Sequence, residues 1–266
     1  MIKIENTEVI GWEAAIRGMR NLMNSWDNSD SFCSYNDKCH ECSDNQKCDF
    51  YFTENGGRPY RNRFSGDFHY IGPNDYNLMT RLRNAGTDHR KFMRMITVYT
   101  DITAPLYWWK EFDTYKVGTV ANSCSTIHKI AEKEFTLEDF SCEHLIDDIN
   151  ECWNENIEAG TECRSTPLNI LEDVIFALNK YRDKYLLAKT KPMKEESKRA
   201  GLLKKFWWQM IQLLPSSYNQ KRTVMLNYEV LANIYKSHKD YNLDEWHTFC
   251  DWIESLPYYE LITGKE

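Results

Sequence analysis

Four cysteines, Cys33, Cys39, Cys42 and Cys48, crowd the stretch "FCSYNDKCHECSDNQKC". Cys39 and Cys42 form a C-x2-C pair, the spacing that lets two thiolates reach one tetrahedral zinc. The outer gaps of five residues are wider, and His40 or His69 could replace a weaker ligand. Four thiolates leave no open position for water, so a zinc here would be structural rather than catalytic. A loop this polar would gain from a metal the order it cannot gain from a core. Incidental thiols, or disulfides in an oxidising compartment, are the other readings of the same spacing.

A second group lies in "YKVGTVANSCST", Tyr115 to Thr126, crowded with small and hydroxyl residues. It resembles the lining of a small-molecule site, yet acid, base and arginine pairs are missing from it. Lys116 offers a phosphate a point charge, not the two parallel bonds of a guanidinium. A thiolate at Cys124 could act as a nucleophile if Lys116 or His128 stabilised it. The plainer reading makes Cys124 a small buried hydrophobe. Further along, Lys221 and Arg222 in "NQKRT" could meet a phosphate or form a solvated charged face. Taken alone, His89 in "TDHRK" reads as an exposed loop histidine.

These groups need elements to position them. Residues 2–5 read as a short strand and "GWEAAIRGMRNLMNSW" as an amphipathic helix, with Trp12, Ala15, Ile16, Met19 and Met23 on 3,4-type spacing. From 27 to 67 the composition shifts to Asn, Asp, Ser, Gly and Cys without helical period, as in an inserted loop or small module. "GPNDYNLMTRLRNAG" predicts a helix with Gly72-Pro73 as breaker, Asn74 as N-cap and Gly86 as C-cap. "MRMITVYTDI", Met93 to Ile102, reads as a buried strand. Pro105 then suits the first turn of a helix that places Trp108, Trp109, Phe112 and Tyr115 together. Helical periods follow near 136–158, 167–188, 195–213, 217–237 and 243–255, with prolines near several boundaries. The expected fold class is α+β, a small sheet with many helices: one domain over residues 1–266 with a Cys-rich insertion at 27–67.

Composition narrows the function classes. The 266 residues carry 33 basic and 40 acidic side chains, a net charge of -7, which argues against broad nonspecific nucleic-acid binding. The alternation of aromatics and arginines in "RPYRNRF" could bind a single strand locally or form a solvated loop. The first residues lack a charged start followed by an apolar run, and no window is apolar enough to span a membrane. The expectation is a soluble, cytoplasmic protein.

Two longer segments, "RLRNAGTDHRKFMRMITVYTDITAPLYWWKEF" and "LLPSSYNQKRTVMLNYEVLANIYK", carry a resemblance. Their order of helix, Gly and His, strand, "AP" helix start and late leucine-proline segment resembles the flavin-dependent thymidylate synthase family, the thymidylate synthase complementing proteins. In that family the "AP" helix leads into the motif R-H-R-x-x-S-x-N-E-x-S-x-R-Y. Here Thr114, Tyr115 and Lys116 lie over Arg-His-Arg, and Thr119 lies over the first Ser. Ala121 and Asn122 cover Asn-Glu, Cys124 the second Ser, and Thr126 and Ile127 the final Arg-Tyr. No defining position is identical. Arginine loss at 114 and 126 removes charge-assisted bonds of about 1.5–3 kcal/mol each.

The resemblance implies FAD, dUMP, a folate one-carbon donor, NADPH and a homotetramer with sites shared between chains. Residue by residue, it implies cofactor contacts at His89, Tyr115 and Asn227. It implies substrate contacts at Lys116, Asn122, Lys221, Arg222 and His238, with Cys124 as the candidate for chemistry. The substrate class is a pyrimidine deoxynucleotide. Two alternatives stand beside an enzyme: a non-catalytic nucleotide-binding descendant, and a zinc-organised interaction protein working through the insertion.

Overall fold

Strands, rather than helices, organise the segments that carry the candidate residues. The computed structural model describes residues 2–33, 58–61, 68–125, 129–148, 165–192 and 195–264. A four-stranded sheet is built from β1 (Lys3–Ile10), β5 (Thr97–Pro105), β6 (Val120–Ser123) and β7 (Asn219–Asn227), in the order β1-β5-β7-β6. Alternation along β5 buries Val98, Thr100, Ile102 and Ala104, the signature of a strand with one covered face. The strand starts later than Met93, because Arg90–Arg94 coil into a 3-10 turn.

β7 corrects a sequence expectation. The helical period assigned to 217–237 belongs only to its second part, helix α6 (Tyr228–His238). Upstream of Asn227 the pattern has period two: Val224 and Leu226 are buried, while Lys221 and Thr223 are exposed. The helix expected from 136 shrinks to a 3-10 turn at Leu137–Asp139, closed by reciprocal Thr136 and Asp139 hydrogen bonds; its part from 149 to 158 lies outside the described residues.

Within the compositionally distinct segment, β2 (Phe32–Cys33) and β3 (Arg58–Arg61) flank β4 (Phe68–Ile71) in a three-stranded antiparallel sheet. Cys33 stands opposite His69 in this register. Cys39, Cys42 and Cys48 lie outside the described residues, as does the end of "RPYRNRF". Among the described residues no group of His, Cys, Asp and Glu could hold a metal ion, and no helix is long and apolar enough to cross a membrane.

The chain forms two compact units. The larger comprises 2–102, 113–122 and 222–266. It holds α1 (Trp12–Arg20), α2 (Pro73–Asn84), α6, and beyond it α7 (Asp244–Glu254) and α8 (Glu260–Thr263). Trp12 is fully buried, edge-on to Tyr228 at 5.3 Å and to Tyr258 at 5.2 Å. Helix α6 is buried on nearly every side, from Tyr228 and Glu229 to His238. Helix α2 starts at Pro73, with Gly72 at the N-cap position rather than Asn74. Its first turn is capped from a distance: Asp30 accepts from the backbone N–H groups of Asn74 and Asp75 at 2.9 and 3.1 Å.

The smaller unit comprises 103–112 and 123–221. It contains α3 (Leu106–Phe112), α4 (Pro167–Thr190) and α5 (Glu196–Leu213). Pro167 opens α4 behind the Thr166 cap, whose side chain accepts from Asn169 N–H. Ile130, Phe135, Phe140, Leu171, Leu178 and Met210 form its core, and Asn179 bonds both the N–H and the C=O of Phe135. On α3, Trp108, Trp109 and Phe112 are buried, and Trp109 Nε1 donates to the Gln220 carbonyl at 2.9 Å.

Candidate functional site

The segment Asp113–Asn122 runs beside β7 and α6 in the larger unit and is tied down at three points. The first is an ion pair: Arg222 Nη1 donates to Asp113 Oδ1 at 2.7 Å, with the Arg222 side chain 14% exposed and that of Asp113 50% exposed. The second joins Tyr115 Oη and His238 Nε2 at 2.7 Å, with the donor set by the histidine tautomer. The third is steric. Gly118 has φ +78°, and a Cβ there would lie 2.7 Å from Asn227 Nδ2 and 3.1 Å from Val230 Cγ2. Only glycine allows this backbone so close to the start of α6.

Each tie uses a residue that the sequence singles out, in an intramolecular role. Asn227 is the N-cap of α6, its Oδ1 accepting from Val230 N–H at 3.0 Å. His238 closes the same helix and is buried. It stacks on Trp246 at 3.8 Å with 8° between planes, and meets Tyr115 and Tyr241 edge-on. Arg222 meets Asp113 rather than open solvent. Lys116 and Asn122, by contrast, are exposed, and Val117 is 90% exposed. Thr119 Oγ1 is buried, with no hydrogen-bond partner among the described residues.

Two candidates belong to the smaller unit. Cys124 is an exposed thiol whose backbone N–H donates to the Lys221 carbonyl at 3.1 Å, and Gln220 Nε2 donates back to the Cys124 carbonyl. The Lys221 side chain is exposed. Thr126, Ile127 and His128 lie outside the described residues. His89 is exposed at the start of the 3-10 turn, its backbone N–H donating to the Gly86 carbonyl.

Sequence reasoning passed over Asp113 and Glu229. Glu229, in the first turn of α6, is buried and accepts from Arg90 Nε at 3.3 Å and from Arg94. Burial alone pushes its carboxyl up. The hydrogen bonds and charges of Arg94 and then Arg90 outweigh burial and hold it below the ordinary 4.5. An acid set in the apolar first turn of a helix is the one signal that could have marked it. Asp113 gives no such signal, because its partner is 109 residues away.

A cleft of about 760 Å³ opens elsewhere in the larger unit, lined by Arg20, Asp30, Asn74 and Arg81 among others. Arg20 is bound there to the fully buried Asp75 at 2.6 Å. None of the candidate residues lines this cleft.

No family model and no curated protein matches the chain. Solved structures do. Thymidylate synthase X from Helicobacter pylori, with FAD and dUMP, superposes with a TM-score of 0.54 at 12% identity, covering 99% of this chain and 98% of the other. A second structure of flavin-dependent thymidylate synthase ThyX from Helicobacter pylori, complexed with FAD and dUMP, gives 0.52 at 14% identity over the same shares. The UMP/dUMP methylase PolB from Streptomyces cacaoi, bound with 5-Br dUMP, gives 0.50 at 11% identity, covering 99% of this chain and 95% of the other. Likeness over whole chains at such low identity is a likeness of fold, and the chain therefore has the fold of the flavin-dependent thymidylate synthases.

Proposed function

We propose that this protein binds a pyrimidine deoxynucleotide of the dUMP type, as a divergent relative of the flavin-dependent thymidylate synthases. The fold match carries the reading: along their whole length, the similar structures are of proteins crystallised with dUMP or 5-Br dUMP. In the larger unit the chain's own candidates for the ligand are Lys116, Asn122, Arg222 and His238. A thermal-shift series with dUMP, UMP and purine nucleotides tests this. Stabilisation by dUMP above the purines is expected, and no response to either pyrimidine overturns it.

A flavin fits the described residues poorly. Its diphosphate needs cations or converging N–H donors, and positions 114 and 115 supply a threonine and a tyrosine already joined to His238. Asn227 Oδ1 is committed to the helix cap and His89 is exposed. The internal engagement of Arg222, His238 and Asn227 favours the second reading, a non-catalytic nucleotide-binding protein that kept the fold. Purified protein is expected to be colourless and to leave a thymidine-requiring host unrescued. Yellow protein with flavin absorbance, or rescue, overturns that reading in favour of the synthase.

A cytoplasmic homotetramer is part of the proposal, the tetramer by resemblance; so is a structural zinc on Cys33, Cys39, Cys42 and Cys48, by the C-x2-C spacing. Metal analysis of a Cys39→Ser, Cys42→Ser variant tests the zinc: loss of metal is expected, and a full complement sinks it.

A further inference from the structure

We infer that Asp113 sets the specificity of the proposed site by occupying, from within the chain, the guanidinium that would otherwise meet a ligand phosphate. Recognition then falls on base and sugar, and phosphate adds little. This rests on the pyrimidine deoxynucleotide reading above.

Arg222 is the one arginine among the candidate residues, and an arginine is the side chain best shaped to grip a phosphate. Its Nη1 is 2.7 Å from Asp113 Oδ1, the charge-assisted contact a phosphate oxygen would make. With 14% of its side chain exposed, Arg222 has little surface left for a second anion. A phosphate brought to Arg222 would meet the Asp113 carboxylate as a like charge, or would have to displace it. The first case costs repulsion and the second exchanges one charge-assisted bond for another, so the net gain is small. His238, a further candidate, on α6, is buried against Trp246 and bonded to Tyr115. Lys116 is exposed in the same segment and gives a single point charge. A neutral nucleoside meets none of this competition.

Calorimetric titration of the full chain with deoxyuridine and with dUMP, at low and high salt, tests the inference. The wild-type protein is expected to prefer dUMP by less than about tenfold. Asp113→Asn keeps the shape and removes the charge. It is expected to raise that preference by about tenfold, through a gain in dUMP affinity that shrinks with salt. Asp113→Ser serves the same purpose if Asn lowers the melting temperature. Adding Arg222→Gln to either should abolish the gain. The inference is overturned if the wild type prefers dUMP by tenfold or more, if neither Asp113 variant changes the preference, or if the gain survives Arg222→Gln. If neither ligand binds the wild type, the reading of the site fails, and this inference with it.

Discussion

Tyr115 Oη lies 2.7 Å from His238 Nε2, joining the segment 113–122 to the last residue of a buried helix. The imidazole is fixed on its other side by the flat stack on Trp246. The phenol therefore serves as a positioning group for the segment 113–122.

Tyr115→Phe removes this one hydrogen bond and keeps the ring. A buried nitrogen of His238 loses its partner, so a destabilisation of about 1–2 kcal/mol is expected in urea unfolding. Backbone amides of residues 114–118 should also exchange faster with solvent than in the wild type. Unchanged stability together with unchanged exchange would show that the contact ties nothing down.

Gly118 is the second tie, and its replacement acts by volume and backbone conformation. Gly118→Ala places a methyl group where 2.7 Å separates it from Asn227 Nδ2. Asn227 cannot swing aside without giving up the cap on Val230. The φ of +78° adds strain for any L-residue. A loss of about 1–3 kcal/mol is expected, measured by denaturant midpoint. The alanine variant matching the wild-type midpoint would contradict the close approach.

What could be read from the chain alone follows from the range of the interactions. β5 was legible as a strand because β-branched and aromatic residues crowd one short run, although only the face of Val98, Thr100 and Ile102 is covered. The start of α4 was legible because Thr166 and Pro167 are adjacent cap and first-turn residues. β7 was misassigned because the apolar spacing of α6 continues back through Leu226 and Val224, which a helical and an alternating pattern share. At the candidate site, Tyr115, Arg222 and His238 were identified by their position relative to a family pattern. Their actual contacts were not, since the hydrogen-bonding partner comes from a distant part of the chain: Asp113 for Arg222 and Tyr115 for His238. Local spacing carries no information about such pairs.

Thr119 allows a test in the opposite direction. Its buried Oγ1 finds no partner among the described residues, which costs the folded state part of the hydroxyl's desolvation. Thr119→Val removes the hydroxyl at similar volume and is expected to stabilise the unliganded protein by about 1 kcal/mol. If a ligand satisfies that hydroxyl, the same variant should bind dUMP more weakly despite its higher melting temperature. Destabilisation by valine would mean that the hydroxyl already has a partner.

Glu229 provides the pH-dependent prediction. Burial raises its carboxyl, yet Arg94 and Arg90 hold it below the ordinary 4.5, so the folded state favours the ionised form. The stabilisation is therefore fully present above the unfolded value of 4.5 and is lost as pH falls through the lower folded value. Glu229→Gln retains the shape but weakens the bonds to both arginines, for a loss of about 2 kcal/mol near neutral pH. Because the glutamine does not titrate, the gap between wild type and variant should close on acidification. Denaturant unfolding of both proteins at about pH 7 and at about pH 3 measures this gap. A gap that stays constant, or widens in acid, would mean that the arginines do not control the carboxyl.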